Sequence, residues 1–212
     1  MANSLTQEEK LIFQDIADTG VLHTLKALSK LSGRDWSGFP RRFEILEAEQ
    51  AARLFPQQEA ARFCGDLYFD GETPFSLMCV FPQESAINLT HSLTDGKRTT
   101  ADQSSLEILT VAEVSNILAN TFLNVIANTI KMRILPTAPR VLVGSRGYLL
   151  NKAMARANLR AEYILSNDLR LESQNLSMSV NFCLLFETKS LQALIGRIHE
   201  SQAWNSTNKR VF

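Results

Sequence analysis

The chain has 212 residues, with 22 Lys and Arg against 22 Asp and Glu, and an apolar fraction of 45%. A balanced charge provides no field to steer it onto nucleic acid or anionic lipid, and the apolar share is that of an ordinary globular protein, long enough for one large domain or two small ones. No uninterrupted apolar run nears the roughly 18 residues of a membrane span, and the start MANSLTQEEK lacks the basic-then-apolar pattern of an export signal; a soluble, cytoplasmic protein is expected, with no membrane span and no nucleic-acid partner.

In chain order, the first predicted element is a helix over LTQEEKLIFQDIADTGVLHTLKALSKL, with Leu11, Ile12, Ile16, Leu22, Leu25, Leu28 and Leu31 at roughly helical spacing and Thr6 with Glu9 placed for a capping box. A short extended run PRRFEIL and a helix candidate AEQAARLF follow. Two strand-like runs, ARFCGDLYF and FSLMCVF, flank the polar turn Asp70-Gly71-Glu72-Thr73-Pro74, a hairpin signal, and a closing helix starts near Phe81-Pro82-Gln83-Glu84-Ser85. After the polar stretch TDGKRTTADQSS the same series returns. A helix over SSLEILTVAEVSNILANTFLNVIANTIKM has Ser104 and Glu107 at capping-box spacing. The run PRVLVGS, the helix candidate LLNKAMARANL, the strands AEYILSND and LSMSVNFCLLF with a less decisive turn, and a closing helix near Phe186-Glu187-Thr188-Lys189-Ser190 come after it.

The expected division is therefore a first half over 1–94, a linker over 95–105 and a second half over 106–212. Two α-β-(α)-β-β-α units, each with an apolar sheet face to hide, pack most economically as a single pseudo-twofold α+β body with an antiparallel-rich sheet and long helices. Cys64, Cys79 and Cys183 stand in apolar surroundings and are expected to be buried thiols. His23, His91 and His199 are far apart, with no ligands at metal spacing, so no metal site is expected.

Chemistry concentrates on the second long helix. Glu113 and Asn116 are three apart and share a helical face, and Asn120, Asn124 and Asn128 continue at intervals of four. Asparagine is a mediocre helix former, so four on an otherwise apolar helix call for a reason. Spacing alone leaves two: a site, or a capping box of Thr110 with Glu113 beside a solvated face.

The segment EVSNILANTFLNVIANTIKMRILPTAP resembles the phosphatase signature of CheC, CheX and FliY proteins, in which Glu-x-x-Asn on a long helix is followed by a proline at fixed distance. Glu113, Asn116 and Pro139 match it, the proline falling 139 − 116 = 23 positions after the asparagine. Among these families the duplicated chain is most similar to CheC. It departs from the pattern at Leu109, where an Asp or Ser is usual. The first-half positions are Asp15 and Asp18, with Pro40 displaced by one (40 − 18 = 22), so the first site is expected to be degenerate.

The resemblance implies a chemotaxis signalling phosphatase acting on a phosphorylated CheY-type response regulator, Asn116 positioning water and Glu113 pairing with the receiver's lysine. Pro139 supports the motif, and Asn120 and Asn124 offer a further interaction face. No cofactor is expected on this chain; magnesium is expected on the partner receiver domain. The rival expectation is a non-catalytic adaptor or decoy, binding the phosphorylated regulator or a CheD-like deamidase. A flagellar-switch role of the FliY kind fits less well, since those chains continue into a further C-terminal domain.

Overall fold

The computed structural model describes residues 5–47, 62–69, 71, 73–94, 103–158, 160–174 and 176–208. Five helices and six strands are described: α1 (Gln7–Ser32), β1 (Ser37–Glu47), β2 (Arg62–Phe69), β3 (Phe75–Pro82), α2 (Gln83–Leu93), α3 (Gln103–Ile130), β4 (Arg140–Gly144), α4 (Arg146–Ala157), β5 (Tyr163–Ser173), β6 (Leu176–Phe186) and α5 (Thr188–Asn208). The strands form one sheet in the order β1-β5-β6-β3-β2-β4, every described pairing antiparallel.

Matching β1 with β4, β2 with β5 and β3 with β6 makes that order palindromic about the β3–β6 contact, where Met78 faces Cys183. The first strand of each half lies against the second strand of the other, so neither half has a sheet of its own. The fold class is thus the α+β body expected, with the sheet antiparallel.

Strand alternation divides the apolar residues between the two faces. On one face, Phe63, Leu67, Leu77, Phe81, Leu184 and Phe186 meet α1, α2, α3 and α5 in the main core; Phe69, Phe75 and Phe186 stack with centroids 4.4 and 5.0 Å apart. On the other, Cys64, Met78, Ile164, Cys183 and Leu185 pack under Leu149, Leu150 and Ala153 of α4. The three cysteines are buried and free. Burial pushes the Cys183 thiol up to about 12 and raises those of Cys64 and Cys79 as well.

Local signals set the element ends. The Thr6–Glu9 capping box forms, with the Glu9 N–H donating to Thr6 Oγ1 at 3.2 Å, and Gly33 takes the left-handed conformation (φ 64°) that stops α1. Ser145 caps α4 by accepting from the Tyr148 N–H.

Four expectations need correction. Ser104 lies inside α3, which is already helical at Gln103, so it is no N-cap and 103–105 are not linker. The stretch read as an indecisive turn after Asp168 is strand up to Ser173, because Leu169 and Leu171 alternate into the core. β1 begins at Ser37, three residues before PRRFEIL. Although no uninterrupted apolar run nears the length of a span, the helix Ser104–Ile130 as a whole is long and apolar enough to cross a membrane; in this fold it is a core helix, with Val111, Val114, Leu118, Phe122 and Ile126 buried. The helix candidate AEQAARLF and positions 95–102 lie outside the described residues.

Two close approaches seat α3. A Cβ on Gly65 of β2 would stand 2.0 Å from Ser115 Oγ and 2.3 Å from its Cβ, so the helix rests on bare strand backbone there. A Cβ on Gly20 of α1 would come within 2.7 Å of the Phe122 ring, and Thr24 Oγ1 and Thr121 Oγ1 share a hydrogen bond of 2.8 Å beside it. Gly65→Ala is expected to lower unfolding free energy in urea by about 1–3 kcal/mol, the usual cost of overpacking; an unchanged midpoint would show slack in this seat. The native protein should not react with an aromatic disulfide reagent at neutral pH, all three thiols becoming reactive on denaturation.

Candidate functional site

α3 turns about 100° per residue, so the burial of Val114, Ser115, Leu118 and Ala119 against sheet and α1 dictates what faces out. Leu109, Glu113, Asn116 and Asn120, spaced by four, three and four, form one stripe along the other side. Glu113 is exposed, and its carboxylate has no partner among the described residues; Asn116 is half-buried. Glu113 and Thr110 both sit deep inside a helix of 28 residues, which removes the capping-box reading of that pair.

Asn120 is also half-buried, and its Nδ2 donates to the Asn116 backbone carbonyl at 2.8 Å and to Asn116 Oδ1 at 3.0 Å. Asn124 and Asn128 are exposed farther along α3. The helix ends at Lys131, in the left-handed conformation (φ 55°), where the Met132 N–H donates to the Ala127 carbonyl at 3.0 Å. The segment to Pro139 is pinned to β2 by two bonds of 3.0 Å, Thr137 N–H to the Tyr68 carbonyl and Tyr68 N–H to Thr137 Oγ1. Pro139 then stands immediately before β4.

Sequence reasoning missed Asp66. Its carboxylate is fully buried on the α4 side of β2, with Arg140 Nη2 at 3.1 Å and Arg156 Nη1 at 3.3 Å from Oδ2, and Ser76 Oγ donating to Oδ1 at 3.3 Å. Arg156 Nη1 also donates to the Asp66 carbonyl at 2.7 Å. Arg140 follows Pro139 directly, so the residue after the motif's proline ties β4 and α4 to the strand on which α3 rests. An Asp inside the run CGDLYF was the available signal, since a carboxylate in a buried strand requires a cation.

α1 offers the corresponding stripe, Leu11, Asp15, Asp18 and Leu22, all exposed. Gln14 Nε2 donates to Asp18 Oδ1 at 2.8 Å. Where the α3 stripe has two carboxamides, this one has a carboxylate and, at the place of Asn120, a leucine 58% exposed. Pro40 lies in β1, whose pairing with β5 slips between Pro40 and Arg42.

No protein-family model matches the chain, and no curated protein matches it. Solved structures do. FliY from Thermotoga maritima is similar over 95% of this chain and 100% of its own, with 13% identity and a TM-score of 0.74. FliM in a FliG–FliM complex from H. pylori is similar over 91% and 100%, with 12% identity and a TM-score of 0.63. The chemotaxis protein CheX from Desulfovibrio desulfuricans is similar over 80% and 99%, with 14% identity and a TM-score of 0.51. The resemblance to CheC, CheX and FliY proteins thus holds for the fold, and FliM shares it.

Asp66→Ala leaves two guanidinium groups facing an apolar sheet. It should cost about 2–3 kcal/mol, toward the low end for a broken buried pair because both arginines reach solvent. Chemical denaturation checks this; a loss below about 0.5 kcal/mol would mean that the arginines are satisfied by water.

Proposed function

We propose that the chain is a cytoplasmic chemotaxis protein that binds a phosphorylated CheY-type receiver domain through the outward stripe of α3 and accelerates hydrolysis of its aspartyl phosphate. The observation that carries this reading is the pairing of an exposed carboxylate, Glu113, unpartnered among the described residues, with the half-buried carboxamide of Asn116 on one face of a helix clamped from behind. The motif-to-proline spacing supports it.

The receiver brings the phosphoaspartate and the magnesium ion that such domains hold. A water attacks phosphorus in line; the bond from phosphorus to the aspartyl oxygen breaks, the carboxylate leaves with its electron pair, and the water's proton ends on inorganic phosphate. This chain has only to place the water. A carboxamide both accepts and donates, so Asn116 can accept a hydrogen bond from the water on Oδ1 and donate one from Nδ2 to a phosphoryl oxygen. Holding a reactant in this way contributes several kcal/mol in favourable cases. Glu113 would pair with the receiver lysine that otherwise contacts the phosphate, docking the domain and freeing that face; an exposed carboxylate is a poor base at neutral pH.

A second reading is a non-catalytic adaptor or decoy that holds the phosphorylated regulator, a CheD-like deamidase or a switch component. Two observations favour it. Leu109, 65% exposed one turn before Glu113, gives the stripe an apolar end suited to binding, and the FliM of similar fold is seen in complex with FliG. Turnover separates the readings, since at sub-stoichiometric amounts only a catalyst raises phosphate release well above the receiver's own rate.

With phosphorylated receiver in excess, Asn116→Ala should lower stimulated phosphate release by at least about 100-fold with receiver binding largely kept. Glu113→Ala should weaken binding and rate together, and the double variant Asp15→Ala, Asp18→Ala should match the parent. Equal decay with the parent and with Asn116→Ala would sink the water-positioning role.

A further inference from the structure

We infer that Asn120 is a positioning residue that fixes which way the Asn116 carboxamide faces, an inference that rests on the proposed role of Asn116. The geometry decides the chemistry at each atom. The Asn120 atom lying 2.8 Å from the Asn116 backbone carbonyl must be its amide nitrogen, because a carbonyl oxygen only accepts. An NH2 group has two protons, and the second points at the Asn116 side-chain atom 3.0 Å away, which must therefore be an acceptor. Oδ1 of Asn116 is thereby turned toward the C-terminal end of α3 and Nδ2 away from it. A flipped Asn116 would set two NH2 groups against each other.

The consequence for the site is specific. One lone pair of Oδ1 is held by Asn120 and the other is open to a water proton, while both protons of Nδ2 remain available to a phosphoryl oxygen. The bond from Asn120 also draws electron density toward Oδ1, which strengthens Nδ2 as a donor. Without it, the carboxamide rotates freely about a broad two-fold torsion and must be ordered anew in each encounter. The α1 stripe has Leu22 at the corresponding place, so it lacks the orienting donor as well as the amide. Asn120 thus acts through Asn116, and no contact with the receiver is required of it.

The test uses the full chain as parent, Asn120→Leu, Asn120→Asp and Asn116→Ala, each first shown to unfold cooperatively. Leucine is a better helix former and reproduces the α1 stripe, so this variant should fold. With phosphorylated receiver, Asn120→Leu is expected to lower kcat about five- to tenfold, the scale for ordering one side chain, with KM within about twofold of the parent. Asn120→Asp, with acceptors only, should turn the Asn116 NH2 toward itself and lower kcat further. The second readout needs no activity: the Asn116 side-chain NH2 signals, recognised by their loss in Asn116→Ala, should report an ordered amide in the parent and a mobile one in Asn120→Leu. Equal kcat in parent and Asn120→Leu, or an Asn116 amide equally ordered in both, would overturn the inference. If the parent itself fails to speed phosphate loss, the proposed function falls, and the NMR comparison alone then decides whether Asn120 orients Asn116.

Discussion

The contact between Ser115 and the bare backbone of Gly65 fixes the rotational setting of α3, and the outward stripe follows from it. With Ser115 pressed into the strand, Val114 and Leu118 on either side are carried into the core and Glu113 and Asn116 are carried out. A helix free to roll by half the angle between successive residues would bury one of the pair. The approach of α1 at Gly20 and the Thr24–Thr121 bond hold the opposite flank. Rigid placement matters for the proposed reaction, in which the chain supplies position rather than a nucleophile.

The two stripes differ in side-chain class at only two positions of the four. Leu11 and Leu109 open them, an acid follows in each, and both helices present these residues to solvent. The difference lies at the next two steps, Asn116 and Asn120 against Asp18 and Leu22. A carboxylate in place of the amide has no donor for a phosphoryl oxygen and brings like charge toward it. Asp18 is instead engaged by Gln14, a neighbour on its own helix.

Much of the fold was legible because its cues are local. The capping box at Thr6, the hairpin of β2 and β3 and the 3.6-residue period of both long helices act within a few residues and need no tertiary knowledge. The cross-pairing of β1 with β5 and β4 with β2 was not legible, since two antiparallel strands of similar alternation fit several neighbours and only the completed sheet selects among them. The same holds at the site. Spacing and resemblance single out Glu113, Asn116 and Pro139 as candidates, but the bond from Asn120 depends on side-chain torsions, and the support given by Asp66 depends on Arg140 and Arg156 arriving from 74 and 90 residues away. The extent of β5 was misjudged because Asn167 and Asp168 look like turn residues until their strand partners, Phe182 and Asn181, are known.

The most direct measurement is a structure of this chain bound to a CheY-type receiver whose phosphoaspartate is replaced by a stable beryllofluoride mimic. The account predicts α3 laid across the acidic pocket, with Glu113 on the receiver lysine and the Asn116 carboxamide hydrogen-bonded to a water in line with the aspartyl oxygen. A receiver docked elsewhere, or docked on α3 with Asn116 left facing solvent, would contradict it.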